Sequence, residues 1–459
     1  VIGPLKGFLT LYSAQCSNKA VERANSSMST PPESSPPGSE DADHRTPIFY
    51  GWWIVTAGMT LSIYTSGVFF YGFTALFNPL RAEFGWTRAA TSLAFTLQRG
   101  ESGVAAPIVG ILADHYGPRR VMIGGVIIAG LGLVLLSRIN SLPTFYAAFF
   151  ISAIGFSAAS PTVGYIAIAN WFRRRRSRAM AILATGAGIS GFMVGAVVWL
   201  IDVMGWRQAL LMLGVGLWII GIPLSMTFRH RPEQYGTYPD GIPPEALPEG
   251  VQRTPDPAFS FSRTVRTEAF WVLGIVNSLW IFAHTGVVAH IIPALTLDAH
   301  ASLAVAGIAA SAIPVFSIGG RLVMGTLADY YDKRFIMITS MGSQLIGLIV
   351  LAMGFDSAWG IMISMAFYGF GIGGYIPVRR ALQADLFGSR GFGKVMGAME
   401  TVALVGGLAG PVFAGWVADV RDSYQLAFWV FSLGIIAAMP LMLRAKTRQP
   451  QNPETITSA

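Results

Sequence analysis

Charge is scarce in this sequence. Asp, Glu, Lys and Arg make up 12% of its 459 residues, against about 25% in an average soluble domain. A soluble chain of this length would fold as two or three domains, each with its own charged surface, and the residues for that are missing. Cysteine is nearly absent as well. The one cysteine, Cys16, excludes a disulfide-stapled scaffold. No Walker motif, HEXXH pattern, metal-ligand spacing or nucleophile elbow occurs, so no cofactor, metal site or catalytic cluster is expected and the chain does not read as an enzyme.

What the sequence does have is apolar. Hydrophobic residues make up 53% of it, with 52 glycines and 18 methionines, and the mean hydropathy is +0.53. From Phe49 onward, apolar segments of about twenty residues follow one another, each long enough to cross a ~30 Å hydrocarbon core. They centre on 50–76, 88–112, 121–138, 143–171, 178–201, 206–228, 269–293, 302–327, 335–354, 358–380, 392–417 and 425–443. The expected class is an all-α, multi-pass membrane protein of twelve transmembrane helices. Its partners are then the lipid bilayer and a small solute, and the chain is read as monomeric.

The long break at 229–266 splits the spans six and six. The expected organisation is a disordered tail over 1–48, rich in Ser, Pro and acidic residues after Ser26, and a six-helix half over 49–228. A cytoplasmic linker over 229–266, a second six-helix half over 267–445 and a short tail over 446–459 follow. Met28 reads as an alternative start, with residues 1–27 outside the native protein.

Basic residues exceed acidic ones by 32 to 24, but they sit in short loops between apolar runs, the distribution of membrane orientation signals and not of a nucleic-acid surface. Eleven fall in one set of loops (Arg119, Arg120, Arg173 to Arg176, Arg178, Lys333, Arg334, Arg390, Lys394) and five in the other (Arg81, Arg88, Arg138, Arg207, Arg421). The positive-inside rule then places both termini in the cytoplasm of a plasma (inner) membrane protein.

The halves repeat each other. Gly110-Ile-Leu-Ala-Asp114-His-Tyr-Gly117-Pro-Arg119 returns as Gly325-Thr-Leu-Ala-Asp329-Tyr-Tyr-Asp332-Lys-Arg334, an offset of 215 (329 − 114). Asp202 with Gln208 returns as Asp419 with Gln425 at 217 (419 − 202), and Ser66-Gly67 as Thr285-Gly286 at 219 (285 − 66). A duplicated six-helix unit suits a transporter whose halves rock about a shared site.

The Gly-x-x-x-Asp-x-x-x-Arg-Arg loop, repeated after the eighth span, resembles the signature of the major facilitator superfamily over about 49–445. The resemblance implies that Gly110, Asp114, Gly117 and Arg119, with Gly325, Asp329 and Arg334, form a gating motif. There the acid and the arginines join helix ends in one conformation and release them in the other. Asp332 stands where the first copy has Gly117, so a stiffer second loop is expected. Tyr50-Gly51-Trp52-Trp53, Phe84-Gly85-Trp86-Thr87-Arg88, Trp171-Phe172 with Arg173 to Arg176, Gly186-x-Gly188-x-x-Gly191 and Gly410-Pro411 resemble the monocarboxylate transporter and oxalate–formate antiporter branch. The chain departs from that branch at three places. The first span reads Tyr71-Gly72-Phe73 without a lysine, Ser317 stands where an acid precedes the arginine of the eighth span, and deep in the eleventh span Glu400 is the only ionisable residue. The last departure argues for a monocarboxylate and against a dianion.

Charged residues within spans mark function by default. Arg321 lies eight residues before Asp329, about 12 Å deep at 1.5 Å per residue. A guanidinium there suits a bidentate grip on a carboxylate, and the resemblance puts the substrate arginine of the branch at the same place. A structural ion pair is the bland alternative. Glu101, Glu400 and His284 are candidates for proton coupling, with Glu400 an alternative structural partner for Arg99. Tyr165, Tyr368, Asn277 and Tyr71 are polar tips suited to hydrogen-bonding a ligand, and Tyr64 and Tyr375 share that chemistry. Arg379 and Arg380 are read as anchors where the tenth span ends. The expected function is secondary transport of a small organic anion, driven by proton symport or exchange with a counter-anion. A drug or metabolite exporter of the same fold is the alternative, and a membrane sensor or enzyme that of another class.

Overall fold

The structure is a computed structural model that describes residues 48–87, 101, 105–243, 261–354, 357–389 and 391–445. Arg99, Arg390, most of the tail, both ends of the chain and most of the second expected span lie outside the described residues, as does the side chain of Tyr71. Among the described residues there is no strand. Nine helical stretches among the described residues are long and apolar enough to cross a membrane.

Those helices map onto the expected spans in a physically intelligible way. Span 1 starts as an α-helix, Gly51–Thr65, then loosens to a π-helical turn, Ser66–Tyr71, and tightens to a 3-10 turn, Gly72–Leu76, before Phe77–Phe84. Such irregular turns interrupt its length. The second span is helical over 105–116, and the third covers Pro118–Leu136. Span 4 is Leu142–Ala158 followed by Pro161–Trp171, and Arg176–Ile189 opens span 5. Met193–Met226 turns at Gly205 (φ 79, ψ 157) and so carries the end of span 5 and all of span 6. Spans 7 to 12 are Glu268–Leu297, Leu303–Leu327, Lys333–Ala352, Ala358–Phe387, Phe392–Arg421 and Gln425–Leu443.

Two apolar cores form, one per half. The first gathers Ile54, Leu61, Val126, Phe149 and Ala167, and the second gathers Trp280, Met341, Tyr368 and Phe431. Ala381, Ala384, Phe392 and Met396 from the second half join the first core. Around these cores large apolar side chains point outward, among them Trp53, Phe150, Trp199, Ile219, Trp359 and Val412. A belt of that size would aggregate in water and belongs against acyl chains.

Capping shows how the halves meet. Spans 7 and 10 begin at Thr267 and Ser357, whose hydroxyls accept from the first-turn amides of Phe270 and Gly360 at 3.3 and 3.0 Å. Span 9 begins at Asp332, which accepts from the Arg334 amide at 2.9 Å. The residue that interrupts the second motif copy is therefore a helix cap. Its counterpart Gly117 instead turns through φ +84 before Pro118. Spans 5 and 11 start at Arg175 and Gly391 with no local side-chain cap. Their caps come from the opposite half. Asp329 accepts from the Ser177 and Arg178 amides at 2.9 and 3.2 Å, and Asp114 accepts from the Gly393 and Lys394 amides at 3.1 and 2.9 Å.

One turn before each of these acids, a glycine lets the helices touch. A Cβ on Gly110 would stand 2.1 Å from the Gly393 carbonyl oxygen, and one on Gly325 would stand 2.3 Å from the Ala181 Cβ. Arg176 adds an ion pair to Asp385, which also holds Lys333 at 2.8 Å. These bonds between the halves cluster at the motif-bearing end, and the molecule is closed there. At the opposite end the ties run within a half. Arg207 joins Glu83 at 2.7 Å and the Ile139 carbonyl at 2.9 Å, and the Tyr424 amide donates to Asp298 at 2.8 Å.

Gly110→Ala tests whether the glycine sets this closure. Overpacking a close contact costs about 1–3 kcal/mol, so the closed population should fall by about tenfold. Spin labels on spans 2 and 11, with Cys16 replaced, should report a longer distance. An unchanged distance distribution would show that the acid caps alone hold the end shut.

Candidate functional site

Span 10 runs unbroken to Phe387. Arg379 and Arg380 therefore lie eight and seven residues inside its end, about 10–12 Å in at 1.5 Å per residue. They are not interface anchors. Their side chains are 5% and 8% exposed, and both turn to Glu400 of span 11. Nη1 and Nη2 of Arg379 donate to Glu400 Oε1 at 3.1 Å each, and Nη2 of Arg380 donates to the same oxygen at 2.6 Å. Buried charge of this kind is tolerated only when paired and hydrogen-bonded. Glu400 is thus the partner of two arginines of its own half, a pairing the sequence does not reveal.

Arg321 comes to the same region from span 8. It is 8% exposed, and Nη1 donates to the Ala184 carbonyl of span 5 at 2.8 Å. Gly188 makes this possible, since a Cβ there would lie 2.6 Å from Arg321 Nη1. The Gly186-x-Gly188 pattern is explained by that approach and by the Met59 carbonyl, which a Cβ on Gly186 would meet at 2.4 Å. Tyr165 completes the group from span 4. The Arg380 guanidinium lies 5.8 Å from its ring centroid, and Arg321, Arg379 and Glu400 act electrostatically on it. Five spans from the two halves, 4, 5, 8, 10 and 11, meet here.

An aromatic stack extends from the arginine pair. Arg379 sits 5.9 Å from the Tyr375 ring, Tyr375 stacks on Trp280 at 4.3 Å, and Trp280 stacks on His284 at 4.9 Å. His284 is thereby linked to the centre through rings. Glu101 is reached from span 4. It accepts from the Ser157 hydroxyl at 3.1 Å and lines a separate groove of about 780 Å³ with Ile108, Leu112, Arg120 and Ile154.

Of the tyrosines and the amide singled out in the sequence, Tyr165 alone is brought to Arg380 by a described contact. Tyr368 is fully buried and packs on span 9, where a Cβ on Gly347 would meet its Cβ at 2.8 Å. Asn277 is fully buried in span 7, and neither of its polar side-chain atoms has a hydrogen-bond partner among the described residues. Tyr64 ties span 1 to the Leu213 carbonyl at 2.8 Å. Trp280 drew no notice in the sequence, and its signal would have been a helical spacing of four to His284.

The motif acids join helix ends through backbone amides. Its arginines are not the partners. Arg119 is exposed, Arg334 turns to Asp332 at 3.1 Å, and Arg178 Nε stays 3.9 Å from Asp329. Burial pushes the Asp114 and Asp329 carboxyls up, and the amides they accept from pull against that shift.

This fold, with two pseudo-symmetric halves closed at one end over an arginine-rich centre, defines a membrane transporter. The Major Facilitator Superfamily model matches residues 53–292 and 278–459, and the chain belongs to that family. Monocarboxylate transporter 13 of Bos taurus is 25% identical over 433 residues, covering 88% of this chain and 93% of the relative. The oxalate:formate antiporter of Oxalobacter formigenes is 25% identical over 400 residues, covering 83% and 90%. Among solved structures, the proton:xylose symporter XylE superposes with a TM-score of 0.67 at 15% identity, covering 87% of this chain and 97% of that one. The human organic anion transporter MFSD10 gives 0.65 at 15%, covering 85% and 99%.

Asp114→Ala and Asp329→Ala should each strand two amides at a helix start. Losing such a cap costs about 1 kcal/mol, an approximately fivefold shift away from the motif-closed state in spin-label distances. The raised carboxyls also predict a pH dependence. When the closed state holds a proton more tightly, that state gains below the ordinary carboxylate range of about pH 4 and loses the gain as pH rises through the raised values. Acidification should increase closure in the parent chain and less so in either variant. An opposite slope would mean that the amide bonds outweigh burial.

Proposed function

We propose that the chain is a secondary active transporter of small carboxylate anions, working by alternating access. The observation that carries the reading is Arg321, a guanidinium buried at the contact of spans 8 and 5, beside Tyr165. Its Nη1 donates to a carbonyl, which orients the group, and a guanidinium fork matches a carboxylate in geometry and charge. An anion is the natural complement. Relatives named as monocarboxylate transporters and as an oxalate:formate antiporter support a carboxylate. A cationic drug would need a carboxylate to itself here, and Glu400 is taken up by Arg379 and Arg380.

The loop charges support cytoplasmic termini in a twelve-span plasma-membrane protein. With the motif end in the cytoplasm, the closed end faces inward and the site communicates with the outside. Binding at Arg321 would draw spans 8 and 5 together, and release of the Asp114 and Asp329 caps would open the inner end. Coupling is by proton symport or by exchange of anions. Among the coupling candidates Glu400 is best placed, since protonating it would release two guanidiniums beside the substrate. Glu101 is the second candidate and His284 the third.

A proteoliposome uptake screen of lactate, pyruvate, formate and oxalate, with and without a pH gradient, tests the reading directly. Arg321→Lys keeps the charge but loses the fork. A hydrogen bond to a charged group contributes about 1.5–3 kcal/mol, so Kd should rise about ten- to a hundredfold in ligand-induced thermal shift. Arg321→Ala should remain folded and lose binding. Full carboxylate affinity in Arg321→Ala would remove the basis of the organic-anion reading.

Glu400→Gln and Glu101→Gln separate the coupling candidates. The coupling residue, made neutral, should abolish pH-driven accumulation and leave counterflow exchange intact. If both variants accumulate substrate like the parent chain, attention passes to His284.

A further inference from the structure

A groove of about 780 Å³ runs between spans 2, 3 and 4 of the first half, away from the arginine centre. Its volume falls in the range of about 300–1,000 Å³ typical of small-molecule sites. The floor forms where spans 3 and 4 touch. A Cβ on Gly125 would stand 2.6 Å from the Ala159 amide nitrogen, and one on Gly155 would stand 2.1 Å from that of Ala129. A Cβ on Gly124 would meet nothing within 4 Å, so a furrow stays open beside the tight contact. Ile108, Leu112, Phe150 and Ile154 line it, and all four are large apolar side chains exposed at the protein surface.

Among the described lining residues only Arg120 and Glu101 carry charge, and they stand at different levels of the membrane. Arg120 lies in the first turn of span 3, at the motif-bearing end, beside Tyr116 where span 2 finishes. Both are exposed, and Tyr116 meets His115 edge-on at 4.6 Å. Aromatic and basic side chains at a span end mark the headgroup level of a bilayer. Among the described residues no ion pair takes up the Arg120 guanidinium. Glu101 precedes Tyr116 by fifteen residues (116 − 101) and accepts from the Ser157 hydroxyl at 3.1 Å, near the middle of span 4.

We propose that this groove binds one anionic phospholipid of the leaflet at the motif end, with the phosphate on Arg120 beside Tyr116 and one acyl chain along Ile108, Leu112 and Ile154. The polarity of the groove orients the occupant. An anionic group is drawn to Arg120 and disfavoured towards Glu101, and an uncharged chain suits the apolar wall between them. The chain leaves one hydrocarbon environment for another, so its burial contributes little and the headgroup decides the affinity. All three walls belong to the first half. The site is therefore independent of how the halves stand to one another and of the carboxylate reading of Arg321.

The test is native mass spectrometry of the full chain in detergent, titrated with phosphatidylglycerol and phosphatidylcholine of identical acyl chains. Glycerol 3-phosphate, which has the headgroup charge and no chain, is titrated separately. The first phosphatidylglycerol should bind about tenfold more tightly than the first phosphatidylcholine, as expected for one charge-assisted contact. Arg120→Gln should bring that ratio down about tenfold. Arg119→Gln, at an exposed neighbour outside the groove lining, should keep it. Gly124→Leu fills open space without displacing a neighbour, and should weaken both lipids by about fivefold or more through steric overlap with the chain. Equal affinities for the two lipids in the parent chain overturn the proposal, as does unchanged binding in Gly124→Leu. Equal falls in Arg119→Gln and Arg120→Gln would assign the preference to general surface charge and overturn it too. Glycerol 3-phosphate binding as tightly as phosphatidylglycerol would show a headgroup site without a chain, and so remove the groove from the account.

Discussion

The first amides of a helix have no acceptor within the helix, and where the helix start is packed against another part of the protein they need one supplied from there. Spans 5 and 11 meet that constraint with carboxylates from the opposite half. Asp329 caps one and Asp114 the other. Much of the closed end follows from this exchange. The caps require the helix starts to reach across the interface, and that reach requires Gly110 and Gly325 to allow backbone contact one turn earlier. It also puts Arg176 beside Asp385 and Lys333. Breaking the exchange frees both halves at once, because each half caps the other.

The same constraint, applied to side chains, builds the centre. Arg321 is oriented by a carbonyl of the opposite half and is not neutralised by it. Arg379 and Arg380 share one carboxylate oxygen. Tyr165 lies at the seam, touched electrostatically by charges from spans 8, 10 and 11. A ligand bound there would contact both halves, which is the requirement for a solute to influence their rocking.

Rigid and yielding parts are divided in a useful way. Each half has its own apolar core and its own ties at the end away from the motif, such as Arg207 with Glu83 and Tyr424 with Asp298. Between the halves, the polar bonds concentrate at the motif end, beside a small apolar contact made by Ala381, Ala384, Phe392 and Met396 with the first core. Hydrogen bonds to backbone amides can be exchanged for water at modest cost, whereas an apolar core cannot be parted so cheaply. The halves can therefore move as bodies about the centre.

The sequence by itself determined the class of the protein. Low charge, serial apolar segments, a midpoint break and a repeated Gly-x-x-x-Asp loop are each local signals, and they led to the duplicated helical fold and to Arg321. It also pointed to Asp114 and Asp329, because a repeated acid at a loop is visible without coordinates. Their partners were not visible. A backbone amide has no sequence signature, and the motif arginines, which do have one, turned out to point elsewhere. Arg379 and Arg380 were misplaced for a related reason. Two adjacent charges read as the end of a span, and only a helix that continues to Phe387 carries them inward. The pairing of Glu400 with them, and not with a residue of span 2, depends on which helix faces share an interface. Tyr165 and Tyr368 look equivalent as polar tips, yet one faces the seam and the other packs on span 9. Helix rotation decided that difference, and rotation is set by packing against neighbours far away in the chain.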